Sequence, residues 1–215
     1  MKNITFYHFF SLVLILFLPS CFGPTQSYPA IQQIIFISSR FGANMEIYTM
    51  DRDGNNQINL TRHQSWDTDP QFSPSGSGLL FITNRDGLDE IYYAELEWYG
   101  GYTRYEITNQ VNVSNHPAYD GQPQFSPDGS KIVFQSARDS TFEIYLVDVN
   151  GKNLANISNH SANDLDPQFS PDGQNILYVS DRDGDDEIFI MAIDGANPIN
   201  ITNNTKPENR PRYSP

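Results

Sequence analysis

Three histidines, His63, His116 and His160, each follow the same Asn-x-Ser/Thr tripeptide along the chain. Imidazole suits zinc and neighbouring transition metals, so three of them converging on one rim would make a metal site. Carboxylates recur on the same scale: Asp67, Asp120, Asp164 and Glu208 each stand three residues before a proline. A ring of such groups would attract a cation or a basic peptide. An Asp in that place also caps the turn that leads into a strand. The run Asp181-Arg182-Asp183-Gly184-Asp185-Asp186-Glu187 alternates oxygen ligands. Asp181, Asp183 and Asp185 are therefore the weak candidates for calcium, in a stretch that lacks the distal bidentate Glu of a helix–loop–helix calcium loop. Trp98, Tyr99, Tyr102 and Tyr105 crowd around Gly100-Gly101, a density suited to protein or sugar contact. No catalytic set and no cofactor motif stands out. Gly76-Ser77-Gly78 lacks the spacing of a nucleophile elbow, and the chain reads as non-enzymatic.

The elements that must position these residues follow from a repeat. The string PQFSP begins at Pro70, Pro123 and Pro167, and a degenerate copy, PRYSP, begins at Pro211. The spacings are 53, 44 and 44 residues. A period of about 40–50 residues with strand-like content marks a β-propeller, one four-stranded blade per repeat. In the third copy, strand a is Pro123–Ser126 and Pro127-Asp128-Gly129 turns the chain. Strand b is Lys131–Ser136 and strand c is Glu143–Val149. Asn150-Gly151 is a hairpin signal, and strand d covers Asn153–Ser158. The first copy holds b, c and d without a, and the last holds only a, Arg210–Ser214. The expected fold is all-β: four blades of four antiparallel strands closed by the C-terminal strand, or part of a larger propeller.

Residues that recur at the repeat period serve the repeat. The Asn-x-Ser/Thr tripeptides at Asn59, Asn112, Asn156 and Asn200 match a glycosylation acceptor but read as strand d four times over. Arg40, Arg85, Arg138 and Arg182 follow strand b, and Glu46, Glu90, Glu143 and Glu187 open strand c. Cross-strand Arg–Glu ion pairs are expected there. Phe72, Phe125, Phe169 and Tyr213 are expected to fill equivalent buried positions between blades. The second copy breaks the pattern with about nine extra residues around Glu95–Gln110, read as a lengthened c–d hairpin that carries the aromatic cluster.

The formal net charge of −13 speaks against nucleic acid as a partner, since phosphate binding needs clustered Lys and Arg. Lys2 and the apolar run Phe9–Leu18 read as an export signal over residues 1–20, too short for a spanning helix. Cys21, the only cysteine, follows Leu18-Pro19-Ser20 and resembles the processing site of bacterial lipoproteins, where the cysteine is lipidated. Residues 21–33 then form the lipidated Cys and a tether, and residues 34–215 the propeller. The expected location is the bacterial cell envelope, anchored by lipid, with Phe22 in place of an Asp leaning toward the outer membrane.

The unit PQFSPDG–x–x–I–x–(F/Y)–x–S–x–R–D–x–x–x–E–I–(Y/F) resembles the propeller repeats of the TolB family, over about Ile34 to Pro215. The resemblance implies a TolB-like propeller and a non-enzymatic platform in the envelope that binds a protein or peptide. TolB places an α/β domain before six blades, whereas a short tether precedes the first strand b here. Similar repeats occur in prolyl-oligopeptidase-type peptidases and in oligogalacturonate lyases. The alternative they imply is a metal-dependent polysaccharide lyase drawing on His116, His160 and the motif glutamines, or a carbohydrate-binding propeller.

Overall fold

The computed structural model of the chain describes residues 33–40, 42–99 and 104–214. Their regular structure is entirely β and forms four antiparallel sheets. The first holds β1 (Gln33–Ser38), β2 (Glu46–Asp51) and β3 (Ile58–Asn59). The second holds β4 (Asp67–Phe72), β5 (Gly78–Thr83), β6 (Glu90–Tyr99) and β7 (Arg104–Asn112). The third holds β8 (Asp120–Phe125), β9 (Lys131–Ser136), β10 (Glu143–Asp148) and β11 (Ala155–Asn156). The fourth holds β12 (Asp164–Phe169), β13 (Asn175–Ser180), β14 (Glu187–Ala192) and β15 (Ile199–Asn200). In every sheet each strand lies beside its neighbour in sequence, the meander of a propeller blade. The architecture is that of a four-bladed propeller.

Local chemistry sets each blade. The Ser-Pro-x-Gly turn between strands a and b is closed by Ser73 N–H to the Gly78 carbonyl (2.8 Å) and by Ser126 N–H to that of Lys131 (2.9 Å). Gly76, Gly129 and Gly173 take positive φ there, which glycine adopts without steric cost. The strand a to strand b register slips in all three complete blades, between Thr68 and Gln71, Gly121 and Gln124, and Leu165 and Gln168. At each bulge the residue before proline is left-handed: Asp69, Gln122 and Asp166, with φ of 47°, 50° and 51°. Such a bulge bends the strand and re-aims its side chains.

Packing joins each blade to the next. Ile47 and Leu60 of the first blade meet Leu79, Phe81, Ala94 and Tyr105 of the second. Leu80, Ile91 and Val113 of the second meet Ile132, Phe134 and Val147 of the third. Val133, Ile144 and Ile157 of the third meet Phe169, Ile176, Tyr178 and Met191 of the fourth. Leu79 and Leu80 thus enter different seams, because alternate side chains leave opposite faces of a strand. A strand b buried on both faces must be apolar throughout, which explains runs such as Leu79-Leu80-Phe81-Ile82. Phe169 is buried, as expected, whereas Phe72, Phe125 and Tyr213 are half-buried.

The expected closure through the C-terminal strand is not formed. Arg210–Ser214 joins no sheet, and the first sheet has three strands. Glu208 N–H donates to the Asp186 carbonyl at 2.7 Å. The same bond ties Asp67 to Met45, Asp120 to Asp89 and Asp164 to Phe142, always the blade before. The last segment is therefore held on the fourth blade, where the inner strand of a following repeat would sit.

Candidate functional site: an acidic and aromatic face

The recurring carboxylates lie beneath this face, not on it. Asp67, Asp120 and Asp164 are 0% exposed. They are paired with Arg85, Arg138 and Arg182 at 3.1, 3.2 and 3.1 Å. Each guanidinium also lies over two rings of its own blade: Arg85 over Phe81 and Tyr92, Arg138 over Phe134 and Tyr145, Arg182 over Tyr178 and Phe189. Arg40 stacks on Phe36 and Tyr48 in the same way. An arginine held between aromatic faces and a buried carboxylate is a structural unit. This corrects two expectations. The three aspartates do not form a partner-binding rim, and the arginines pair with them rather than with the glutamates that open strand c.

Those glutamates have another task. Glu143 accepts from Ser158 Oγ (2.7 Å) and from His160 N–H (3.0 Å), and Glu46 accepts from Thr61 Oγ1 and His63 N–H. The same hydroxyls accept from Ile144 and Ile47 N–H. The Asn of each tripeptide caps the turn that follows: Asn59, Asn112, Asn156 and Asn200 accept from the N–H three residues on. The Asn-x-Ser/Thr tripeptides are thus the fastener between strands c and d. For Glu46, burial pushes the carboxyl up. Bonds from Asn44, the His63 backbone and Thr61 together bring it below its ordinary value.

The histidines do not converge. His63 Nδ1 accepts from Ser65 N–H and His160 Nδ1 from Ala162 N–H, each turned into its own loop. Asp181 accepts from Asn163, and Asp183 from Asn200. Neither set forms a cluster able to hold a metal ion among the described residues.

What does face outward was missed in the sequence. Trp66 and Tyr119 occupy the same place in successive repeats, just before the buried Asp, and both are exposed. Tyr119 packs edge-on against Phe142 at 5.9 Å. Its ring crosses Gly121 so closely that a Cβ there would lie 2.6 Å from the phenol oxygen. Partial burial raises the Tyr119 phenol above its ordinary value, and the nearby charges of Asp89, Asp69, Asp120 and Asp166 raise it further. Asp69 and Asp166 are the left-handed bulge residues, so the bulge leaves Asp69 exposed and Asp166 half-buried while the first Asp of Asp-x-Asp-Pro is buried. Beside them, Asp69, Pro70, Gln71, Gln122 and Pro123 line a pocket of about 180 Å³ between β4 and β8. Gln71 Nε2 donates across it to the Pro123 carbonyl at 2.7 Å. The one legible signal was Gly121, which stands where the other copies carry Thr68, Leu165 and Asn209.

The lengthened hairpin is real. β6 and β7 pair as far as Tyr99 and Arg104, with Trp98 opposite Tyr105. Tyr105 does not project, however. It is buried against Phe72 at 6.0 Å in the seam with the first blade. The hairpin base and Asn59–Arg62 flank a groove of about 250 Å³ that includes Glu106, Ile107 and Gln110. Tyr102, Cys21 and the expected leader lie outside the described residues.

Comparison with known proteins agrees with this architecture. A TolB homologue of Chlorobium luteolum is 28% identical over 149 residues, covering 54% of this chain and 34% of the relative. The chain thus spans about a third of that relative's length. The solved structure of a putative TolB from Agrobacterium tumefaciens superposes with a TM-score of 0.62 at 21% identity, over 78% of this chain and 60% of that one. A puromycin-hydrolysing peptidase of Mycobacterium tuberculosis gives 0.64 at 15% identity, over 80% of this chain and 28% of that one. Likenesses this remote establish the fold. The TolB β-propeller domain family matches residues 105–215, and the chain belongs to that family.

Proposed function

We propose that this protein is a non-enzymatic binding module of the cell envelope, held to a membrane through a lipid on Cys21, and that its propeller receives a basic segment of a protein partner. The observation that carries the reading is the face at Tyr119. The exposed Tyr119 ring stands among the charges of Asp69, Asp89 and Asp166, and Asp69 also lines a polar pocket. Aromatic anchors supply contact area at low entropic cost, and carboxylates around them select for Lys or Arg and speed encounter. The net charge of −13 favours the same partner. Membership of the TolB propeller family supports a platform role, as does the resemblance of the Cys21 segment to a lipoprotein site. The hairpin tip with Trp98, Tyr99 and Tyr102 is a second contact surface in this proposal. The lyase alternative needs imidazoles that converge, and His116 and His160 sit in the loops of different blades.

Photo-crosslinking in cells tests it. A photoreactive residue at Tyr119 or Trp66 should trap one and the same protein. The same probe at Leu154, an exposed residue away from this face, should trap none. Equal labelling at all three positions, or none at Tyr119, would refute the reading. Cys21→Ser should move the protein from the membrane to the soluble fraction.

A further inference from the structure

The turn between β5 and β6, residues 84–89, gathers exposed apolar side chains around itself. Leu88 stands in the turn and is 52% exposed. Trp66 is tied to its start: Trp66 N–H donates to Asn84 Oδ1 at 3.0 Å, and Asn84 N–H donates to the Trp66 carbonyl at 3.4 Å. Tyr119 is tied to its end, because Asp120 N–H donates to the Asp89 carbonyl at 2.9 Å. Trp66 and Tyr119 are 51% and 39% exposed. Among the described residues, no other turn between strands b and c, and no other loop from strand d to the next strand a, carries a large apolar side chain this exposed.

The fold does not require rings in these loops. Asn163 holds the same place before Asp164 that Trp66 and Tyr119 hold before Asp67 and Asp120. Its N–H and Nδ2 donate to the two Asp181 oxygens, both at 2.8 Å, and its Oδ1 accepts from Phe142 N–H at 3.3 Å. A small amide thus ties its loop to the turns of both neighbouring blades, whereas the rings leave apolar area in water. Exposed apolar area of this kind marks interaction sites. Tyr119 is also held still, edge-on to Phe142 and across Gly121, so little side-chain freedom is lost on binding. The charges offered around the turn are negative. Asp69 and Asp86 are exposed and Asp89 is half-buried. Arg85, the cation of the turn, faces inward to Asp67 at 3.1 Å, and its side chain is 13% exposed.

Resting on the reading that a basic segment binds this face, we propose that the segment is a short peptide with a bulky apolar side chain beside Lys or Arg, centred on the turn of the second blade. The apolar side chain covers Leu88 with Trp66 and Tyr119 at its flanks, and the cation meets Asp69, Asp86 or Asp89. Two complementarities select this occupant. Only an apolar group removes the three exposed side chains from water, and only a cation answers the carboxylates beside them. A second copy of this chain, with a net charge of −13, is repelled, and so is an anionic lipid surface. A basic segment without an apolar side chain leaves Leu88 and both rings in water.

Peptides selected from a random displayed library on the full chain, purified in detergent, test this. The enriched peptides should carry a bulky apolar residue beside Lys or Arg. Labelled synthetic copies then report affinity by fluorescence anisotropy. Leu88→Ser should weaken binding at least about tenfold, as loss of a central apolar contact does. Asp69→Asn should weaken it about threefold, mostly at low salt. Asn keeps the left-handed backbone of Asp69, φ 47°, and both positions are exposed, so the thermal melts of the two variants should match that of the native chain. Leu154→Ser, at an exposed position outside these loops, should leave affinity unchanged. Basic peptides that lack the apolar residue, weakened by Asp69→Asn and indifferent to Leu88→Ser, would overturn this inference and leave the basic-segment reading standing. Enriched peptides without Lys or Arg, or no enrichment, would overturn both.

Discussion

The first and third blades are built from the same pattern, and they differ in what covers them. Ile132 in β9 is fully buried because β8 pairs beside it and the second blade packs on its face. Ile34, the same position in β1, is 40% exposed. Arg138 has its two rings and Asp120, whereas Arg40 has its two rings and, among the described residues, no carboxylate. The lesson is that a propeller residue owes its burial to a neighbouring copy of the repeat. An identical side chain can be core in one blade and surface in another.

Substitutions at matched positions turn that comparison into measurements by urea denaturation. The largest effect should come from Asp120→Ala, which leaves Arg138 inside the third blade without its carboxylate. Breaking one partner of a buried pair costs about 3–5 kcal/mol. Next, Ile132→Ala should cost about 2–5 kcal/mol as a core truncation. Ile34→Ala should stay within about 0.5 kcal/mol in a monomer, as exposed sites do; equal losses at the two positions would refute the contrast between these blades. Gly195→Ala should cost about 1–3 kcal/mol more than Gly54→Ala. Both glycines have positive φ, but a Cβ at Gly195 meets the Ile157 carbonyl and one at Gly54 meets nothing.

The smallest expected effect is a pH dependence in the turn between β8 and β9. Bonds from the Ser126 hydroxyl and from Ser130 hold the Asp128 carboxyl down to about 2, from an ordinary 3.8. A carboxylate depressed on folding adds stability that is present above its unfolded pKa and fades as pH falls through the folded one. Asp128→Ala should therefore flatten the stability profile between about pH 4 and pH 2 and leave its slope above pH 5 unchanged. A profile identical to that of the native chain would show that the turn does not depend on this carboxylate.

Strand order and turn positions were legible because they depend on local chemistry. Pro-Asp-Gly and Asn-Gly mark turns wherever they fall, and a spacing of 44 residues leaves room for four short strands. The site was less legible, because the pattern Asp-x-Asp-Pro does not say which Asp is buried. The bulge decides it, sending Asp67 inward to Arg85 and leaving Asp69 at the surface. Tyr105 shows the same limit. In sequence it belongs to an aromatic cluster that reads as a recognition tip, yet it packs on Phe72 inside a seam.

By itself the sequence determined the all-β class, the repeat unit and the residues that fasten each blade, since all of these are set within about 50 residues of chain. Only the tertiary structure decided which recurring polar groups are internal, where the acidic aromatic face lies, and that the C-terminal strand stays on the fourth blade. Each of those depends on the angle at which one blade meets the next. That angle is fixed by side chains from two repeats packing together across a seam.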